Sequence, residues 1–170
     1  LIKVRADRNG RIGVLSERGL LQIHEGRLKP DRLHRPLADM NIRDLDVHEG
    51  QFVYLTDDCV LGNAWAGRLL ERHEMPDAKL LAMGEGFEFM VAGGDTRQIA
   101  YDRRRQRFLV LTDGALQRIT PDDEREDVFK HENLTCFALT DTDEILVGTS
   151  DGLLRFQGAE QTAVSYTHLT

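Results

Sequence analysis

The sequence predicts an all-β protein, and more specifically a β-propeller fragment of about three to four blades of antiparallel strands from a larger ring. Three observations predict this: an apolar strand that recurs along the chain, a polar turn before each copy, and a regular spacing. The steps between the equivalent positions Gly19, Cys59, Gly114 and Gly152 are 40, 55 and 38 residues. Two of these steps match the roughly 40 residues of a four-stranded propeller blade.

The recurring strand is continuously apolar and ends in Ser or Thr. Its four copies are residues 11–16, 51–56, 107–112 and 144–149. Such strands are typical of sheets buried on both faces, as in blades that stack around an axis. Asn9-Gly10, Asp113-Gly114 and Asp151-Gly152 indicate tight turns beside these strands, because Asn, Asp and Gly tolerate positive φ.

The repeats divide the chain into a partial propeller, residues 1–158, and a short tail. The predicted units lie near 1–29, 40–75, 97–121 and 133–158, and residues 80–95 form an insertion, either a hairpin or a degenerate partial blade. Residues 122–127 follow Pro121 and are interpreted as a solvated loop. No helix is predicted.

The two ends of the chain differ from the repeats. The chain opens without a methionine, as if already inside a strand, so we expect an N-terminal truncation. Residues 159–170 are expected to be disordered and non-native, because residues 164–170 resemble the read-through of a reading frame into sequencing adaptor.

The composition is that of a globular chain, with 41% hydrophobic and 30% charged residues among 170. The net charge of -7 disfavours a general nucleic-acid or anionic-membrane binder, since both need a basic face. No apolar run reaches the length of a transmembrane helix, and no signal peptide or cofactor motif is present. Cys59 and Cys136 are interpreted as two small buried residues, although one disulfide stays open.

Two segments resemble the repeat of two-component regulator propellers. Residues 145–156, Ile-Leu-Val-Gly-Thr-Ser-Asp-Gly-Leu-Leu-Arg-Phe, are similar to its Trp-Ile-Gly-Thr-x-x-Gly-Leu pattern, and residues 9–20 are a weaker copy. Ile145 and Ile12 stand near the family's Trp, and the other two copies lack the Gly-Leu ending. The resemblance implies a periplasmic or extracytoplasmic sensor domain of a membrane-bound regulator, of the kind that often responds to glycans.

The turns after the recurring strands are acidic, and we treat them as candidate ligand-binding residues. These residues are Glu17, Asp57, Asp58, Asp113 and Asp151. If the first strand of each unit is nearest the axis, the turns share one face, where converging oxygen ligands suit calcium. The alternative is ordinary turn chemistry, so neither a metal site nor a catalytic residue is assigned.

Arg103, Arg104, Arg105 and Arg107 form the one basic cluster. Guanidinium forks match oxyanions, so phosphate or an acidic partner is one interpretation; a hairpin turn that faces water is the favoured one. Tyr54 and Trp65 offer flat faces for a sugar, but core packing explains them as well. His24, His48, His73 and His131, each followed by Glu, are interpreted as surface turn residues.

These observations favour a non-catalytic module of a larger regulatory protein that senses a small molecule, a glycan or a protein. A protein–protein interaction scaffold is the first alternative, and a fragment of a propeller lyase or glycoside hydrolase is the second. No contact with nucleic acid or membrane is expected from this segment.

Overall fold

The computed structural model describes residues 3–17, 19–30, 41–57, 60–62, 68–71, 77–85, 88–120, 124–142 and 144–157. Every regular element in these ranges is a β-strand, as predicted. The chain divides into two compact units, Leu1–Gly93 and Gly94–Thr170.

The first unit contains ten strands in three sheets. Two are four-stranded antiparallel meanders in the orders β1-β2-β3-β4 and β5-β6-β7-β8, and the third pairs β9 with β10. The strands are β1 Lys3–Ala6, β2 Ile12–Ser16, β3 Gly19–His24, β4 Arg27–Pro30, β5 Ile42–His48, β6 Gln51–Thr56, β7 Val60–Gly62, β8 Arg68–Glu71, β9 Ala78–Met83 and β10 Phe89–Gly93.

The second unit contains seven strands in two sheets, ordered β11-β12-β13-β14 and β15-β16-β17. Its strands are β11 Gln98–Asp102, β12 Arg107–Leu111, β13 Ala115–Ile119, β14 Arg125–Lys130, β15 Leu134–Leu139, β16 Glu144–Thr149 and β17 Gly152–Gln157. Each sheet follows chain order, which is the meander of a propeller blade.

The recurring apolar strands are β2, β6, β12 and β16, the second strand of each larger sheet. In β6, Phe52 and Tyr54 pack in the cluster that contains Leu15 and Leu45, whereas Val53 and Leu55 pack in the cluster that contains Leu81. The strand is therefore buried on both faces, which confirms the interpretation of its continuous hydrophobicity. Tyr54 is a fully buried core residue.

For three of the four recurring strands, β2, β12 and β16, the Ser or Thr at the end of the apolar run closes the following hairpin. The hydroxyl oxygens of Ser16, Thr112 and Thr149 donate to the carbonyl oxygens of Gly19, Ala115 and Gly152 at 3.0, 3.3 and 3.1 Å. A side-chain hydroxyl at this position satisfies a backbone acceptor within the turn. This bond is the physical reason for the repeating Ser/Thr ending.

Two hairpins use an unusual Glu-Gly turn. Glu25 and Gly26 both have positive φ, as do Glu49 and Gly50, so each pair forms a two-residue loop of the I′ kind. At Gly50 an added Cβ would lie 2.1 Å from Arg8 Cβ, so the approach of the neighbouring turn also requires glycine. Glu25 and Glu49 are therefore turn residues, whereas His24 ends β3 and His48 ends β5. The prediction of a surface turn residue is wrong for His48, whose side chain is 11% exposed.

Residues 80–95, expected as an inserted hairpin or a degenerate partial blade, include most of β9 and all of β10, which form a separate two-stranded sheet whose Leu81 and Met83 pack against the sheet that contains β6. Two further expectations differ from the structure. The predicted loop at 122–127 contains the start of β14, because Arg118 and Gln117 bind Glu126 and Asp127 across the strand pair.

Cys136 is free and exposed, not buried. A register shift between Leu134 and Cys136 leaves Leu134 and Phe137 in the core, while Cys136 lies outside it. Cys59, Trp65, His73 and the tail 159–170 lie outside the described residues.

Candidate functional site

Neighbouring first strands within each unit are joined by side chains that bind the backbone of the next sheet. In the first unit, Asp44 on β5 accepts hydrogen bonds from Lys3 Nζ at 2.7 Å and from the Leu81 amide of β9 at 2.7 Å. Asp46 likewise accepts from Arg5 Nε at 3.0 Å and from the Met83 amide at 2.9 Å. These contacts hold the sheets together and set the positions of the turns at both ends.

The second unit uses a neutral amide for the same purpose. Gln98 on β11 donates through Nε2 to the Phe137 carbonyl oxygen at 2.7 Å and accepts from the Phe137 amide at 2.9 Å. Both polar groups of the side chain are thereby satisfied by one residue of β15. We call these contacts of Asp44, Asp46 and Gln98 the strand clamps.

The acidic turns lie at one end of the sheets, and two of them form a repeated ion pair. Arg43 binds Asp57 and donates through Nη1 to the Ala78 carbonyl at 2.8 Å. Arg97 binds Asp113 and donates through Nη1 to the Leu134 carbonyl at 3.1 Å. Each arginine thus links a turn of its own sheet to the first residue of the next sheet's first strand.

The charge of Asp57 is stabilised by these partners. The hydrogen bond from Arg43 lowers the pKa of the Asp57 carboxyl, and the amide of Asn41, 3.1 Å from each carboxylate oxygen, lowers it further. Asp57 and Asp113 therefore have a structural role that the sequence did not indicate.

The other acidic turn residues are less engaged. Glu17 is exposed, and Asp151 accepts only a local bond from Ser150 Oγ at 3.2 Å. Asp58 lies outside the described residues. In the ranges that the structure describes, no group of three or more His, Cys, Asp or Glu side chains is placed to hold a metal ion. The ligand-binding role of the five acidic residues stays a prediction.

A cleft lies at the other end of the second unit's sheets, and we call it the arginine cleft. It is lined by residues 101–105 of the β11–β12 turn and by Leu139, Thr140, Asp141 and Glu144 of the β15–β16 turn, with a volume of about 310 Å³. Because β12 separates this turn from Asp113, the cleft and the acidic turn are roughly 17 Å apart along the strand.

Asp102 orders the turn between β11 and β12, residues 103–106, which we call the arginine turn. Asp102 is buried, and its Oδ1 accepts from the amides of Arg104 and Arg105 at 3.2 and 3.3 Å. Its Oδ2 lies 3.3 Å from Arg105 Nη1 and 3.4 Å from Arg107 Nε. Asp7 has the same place in the first unit, where the amides of Asn9 and Arg11 bind its Oδ1 at 2.8 Å.

The arginines were identified from the sequence as a basic cluster, but Thr140 and Asp141 on the opposite side of the cleft were not identified as their neighbours. The signal was present, because residues 102–105 and 141–143 are polar segments that each lie just before a recurring strand. Equivalent turns of consecutive sheets lie side by side, so their repeat positions alone place Thr140 and Asp141 opposite the arginines.

No helix in the described part of the chain has the length and apolar character needed to cross a membrane. No protein-family model matches the chain. No curated protein matches it significantly by sequence.

Solved structures with a similar fold include the extracellular domain of BT4673 from B. thetaiotaomicron, a protein assigned as a hybrid two-component system. The TM-score is 0.63 at 16% identity, over 98% of this chain and 28% of that one. A second structure of the BT4673 domain, assigned to a one-component system, gives 0.61 at 16% identity, over 91% and 26%. The extracellular domain of BT3049, assigned as a hybrid two-component system from the same organism, gives 0.53 at 14%, over 97% and 22%.

The chain spans about a quarter of the length of these domains. At this identity the likeness concerns the fold. It agrees with the propeller repeats found in the sequence and with the consecutive antiparallel sheets of both units. The chain therefore has the all-β, propeller-type fold that these extracellular domains share.

Proposed function

We propose that this chain is a non-catalytic, ligand- or signal-sensing propeller module of a larger regulatory protein, and that it works outside the cytoplasm. The observation that carries the proposal is the fold likeness: the three similar structures named above are extracellular domains of proteins assigned as one- or two-component systems.

The contacts of the second unit are consistent with a rigid sensing body. Its charged turn residues are engaged within their own sheets: Asp113 binds Arg97, Asp102 orders the arginine turn, and Glu144 pairs with Arg155.

The contacts that join one sheet to the next are those of Arg97 with the Leu134 carbonyl and of Gln98 with Phe137. Packed sheets move as units. When one blade is fixed against the next, a movement caused by ligand binding at one turn is therefore passed to the neighbouring turns.

The interaction scaffold and the propeller enzyme remain the competing functions. A scaffold needs an exposed apolar patch for a partner, and an enzyme needs catalytic side chains that converge on a substrate. Among the described residues, Ile23 on β3 and Leu28 on β4 are register partners and both are exposed, which is an apolar pair that would suit a scaffold. Two side chains are far smaller than a typical protein–protein interface, so sensing remains the proposal.

The test uses the full-length gene in its own host. Transcript levels are measured during growth on a panel of defined mono- and oligosaccharides, in the parent strain and in a strain whose gene lacks residues 98–157. We expect at least one sugar to induce transcripts in the parent and not in the deletion strain, at matched protein levels.

Two outcomes would contradict the proposal. Identical transcript responses in both strains would argue against sensing and favour the scaffold. Release of product when the purified full-length protein is incubated with the same sugars would argue for the enzyme. Activity of an alkaline phosphatase fused after residue 157 tests location separately, since this reporter is active only outside the cytoplasm.

A further inference from the structure

The arginine cleft is lined by three arginines and three carboxylates, and two of these carboxylates are buried and already paired with arginines. Arg103, Arg104 and Arg105 line it, and Arg107, the first residue of β12, lies 3.4 Å from the same Asp102 carboxylate that binds Arg105. Of the nearby carboxylates, Asp102 is buried beneath the turn and Glu144 is paired with Arg155. Asp141 is the one exposed carboxylate on the cleft wall among the described residues.

Two of the three guanidinium groups, those of Arg104 and Arg105, are held in place before any ligand arrives. Arg104 reaches across the cleft, where its Nη2 donates to the Asp141 carbonyl oxygen, and this bond leaves further N–H donors of the same fork available. Arg105 is anchored on Asp102 at 3.3 Å. Groups fixed in this way lose little conformational entropy on binding, which favours affinity.

Arg103 is the free member of the set. It is exposed, and within the described residues it makes no hydrogen bond or ion pair. The arginines also crowd one another: burial lowers the pKa of Arg107, and the neighbouring charge of Arg105 lowers it further, against the opposing effect of Asp102. Like charges held this close attract an anion, which relieves their repulsion.

We propose that the arginine cleft is a binding site for a small oxyanion-bearing ligand, either a carboxylate or a phosphate or sulfate ester. Guanidinium forks bind planar carboxylates and tetrahedral oxyanions through paired charge-assisted hydrogen bonds. The volume of about 310 Å³ lies at the lower end of the range for small-molecule pockets. The Asp141 carboxylate, on the opposite wall, suits ligand hydroxyl groups, whereas the Thr140 hydroxyl is engaged with Thr142 and Glu144 of its own turn.

This inference does not depend on sensing, because binding is measured on the purified full-length protein whatever its output. The probes are inorganic phosphate, sulfate and citrate, titrated at constant ionic strength with sodium chloride as the reference. Binding is followed by calorimetry. We expect saturable binding of at least one oxyanion, and its rank among the three probes identifies which oxyanion chemistry the cleft prefers.

Variants locate the site. Arg103→Gln and Arg104→Gln are each expected to weaken binding about three- to ten-fold, because a charge-assisted bond in a partly exposed site is screened by solvent. Arg104→Lys keeps the charge but loses the fork, so it should weaken binding as well. Asp141→Asn removes the opposing charge and is expected to tighten binding.

Arg27→Gln is the matched control. Arg27 is an exposed arginine beside the β3–β4 turn of the first unit, so its loss changes net charge equally without touching the cleft. Equal weakening by Arg27→Gln and Arg104→Gln, or no saturable binding of any probe in excess of chloride, would overturn the proposal. Circular dichroism of each variant verifies that the fold is retained.

Discussion

The two units solve the same packing problem with different chemistry. In the first unit the strand clamps are ionic, with Lys3 and Arg5 bound to Asp44 and Asp46, and these carboxylates bound to the next strand's amides. In the second unit one neutral residue, Gln98, satisfies both the amide and the carbonyl of Phe137. The same contact between neighbouring first strands therefore occurs in both units, although the residue type that makes it differs.

The two solutions have different electrostatic costs. Asp44 is almost fully buried, and burial raises the pKa of its carboxyl against the opposing effects of Lys3 and of the Leu81 and Leu45 amides. The ionic clamp is therefore partly offset by desolvation. The amide clamp carries no charge and has no such cost, so its contribution should be independent of pH.

The largest expected effect comes from breaking the ionic clamp. Asp44→Ala leaves the Lys3 ammonium without its carboxylate partner and the Leu81 amide without its acceptor. We expect the free energy of unfolding to fall by about 3–5 kcal/mol, which is typical when one partner of a buried ion pair is removed. Urea denaturation of the full-length protein measures the loss, and exchange of the Leu81 amide locates it.

Asp46→Ala is the comparison variant, because Asp46 and Arg5 are more exposed than Asp44 and Lys3. Asp46→Ala should lower the free energy of unfolding by less than Asp44→Ala does. A larger cost for Asp46→Ala would show that burial does not determine the strength of the clamp.

Breaking the strand clamp of Gln98 should give the second-largest effect on stability. Gln98→Ala leaves the Phe137 amide and carbonyl unpaired, and we expect a loss of about 1–3 kcal/mol that is the same at pH 5 and pH 8. Gln98→Glu places a carboxylate against the Phe137 carbonyl oxygen, which raises the pKa of the new group in the folded state.

The sign of the resulting pH dependence follows from that shift. A group whose pKa is raised by folding stabilises the protein below its unfolded pKa, and this contribution is lost as the pH rises through the folded value. The free energy of unfolding of Gln98→Glu should therefore be closest to that of the wild type at acidic pH. Equal stability of Gln98→Glu and wild type at every pH would contradict the role given to the Phe137 carbonyl.

The smallest expected effect lies in the turn of the first unit. Burial opposes ionisation of Asp7, but the backbone and side chain of Arg11 and the amide of Asn9 lower the pKa of its carboxyl overall. Asp7→Asn keeps an acceptor and loses the charge, so we expect a loss of about 1 kcal/mol at pH 7, since Arg11 is half exposed.

Because the pKa of Asp7 is lowered, its contribution is present above pH 3.8 and is lost as the pH falls through the folded value. Thermal unfolding at pH 7 and pH 3 measures this change. A difference between Asp7→Asn and wild type that grows in acid would have the wrong sign for this account.

Much of the fold was predictable because it is local. The strands β2, β6, β12 and β16 follow from continuous apolar runs, and their Ser or Thr endings follow from bonds within one hairpin. The two-stranded sheet of β9 and β10 was harder to predict, because its burial depends on contacts with β5 and β6 that the sequence does not display.

The strand clamps could not be predicted from local patterns. The residues that they join are 37 to 41 positions apart, close to one repeat, and they differ between copies as Asp and Gln. The contact across the arginine cleft could not be predicted either. Arg104 was visible in the sequence, but its partner is the Asp141 carbonyl oxygen, a backbone group that leaves no signature there.

The most direct test of the central claim, that consecutive sheets are blades joined through their first strands, is an experimental structure of the full-length protein. The account predicts that the Leu81 amide binds Asp44 and that both polar groups of Phe137 bind Gln98, with each four-stranded sheet in chain order. A structure in which β5 pairs with β9, or β11 with β15, as neighbours in one continuous sheet would contradict it.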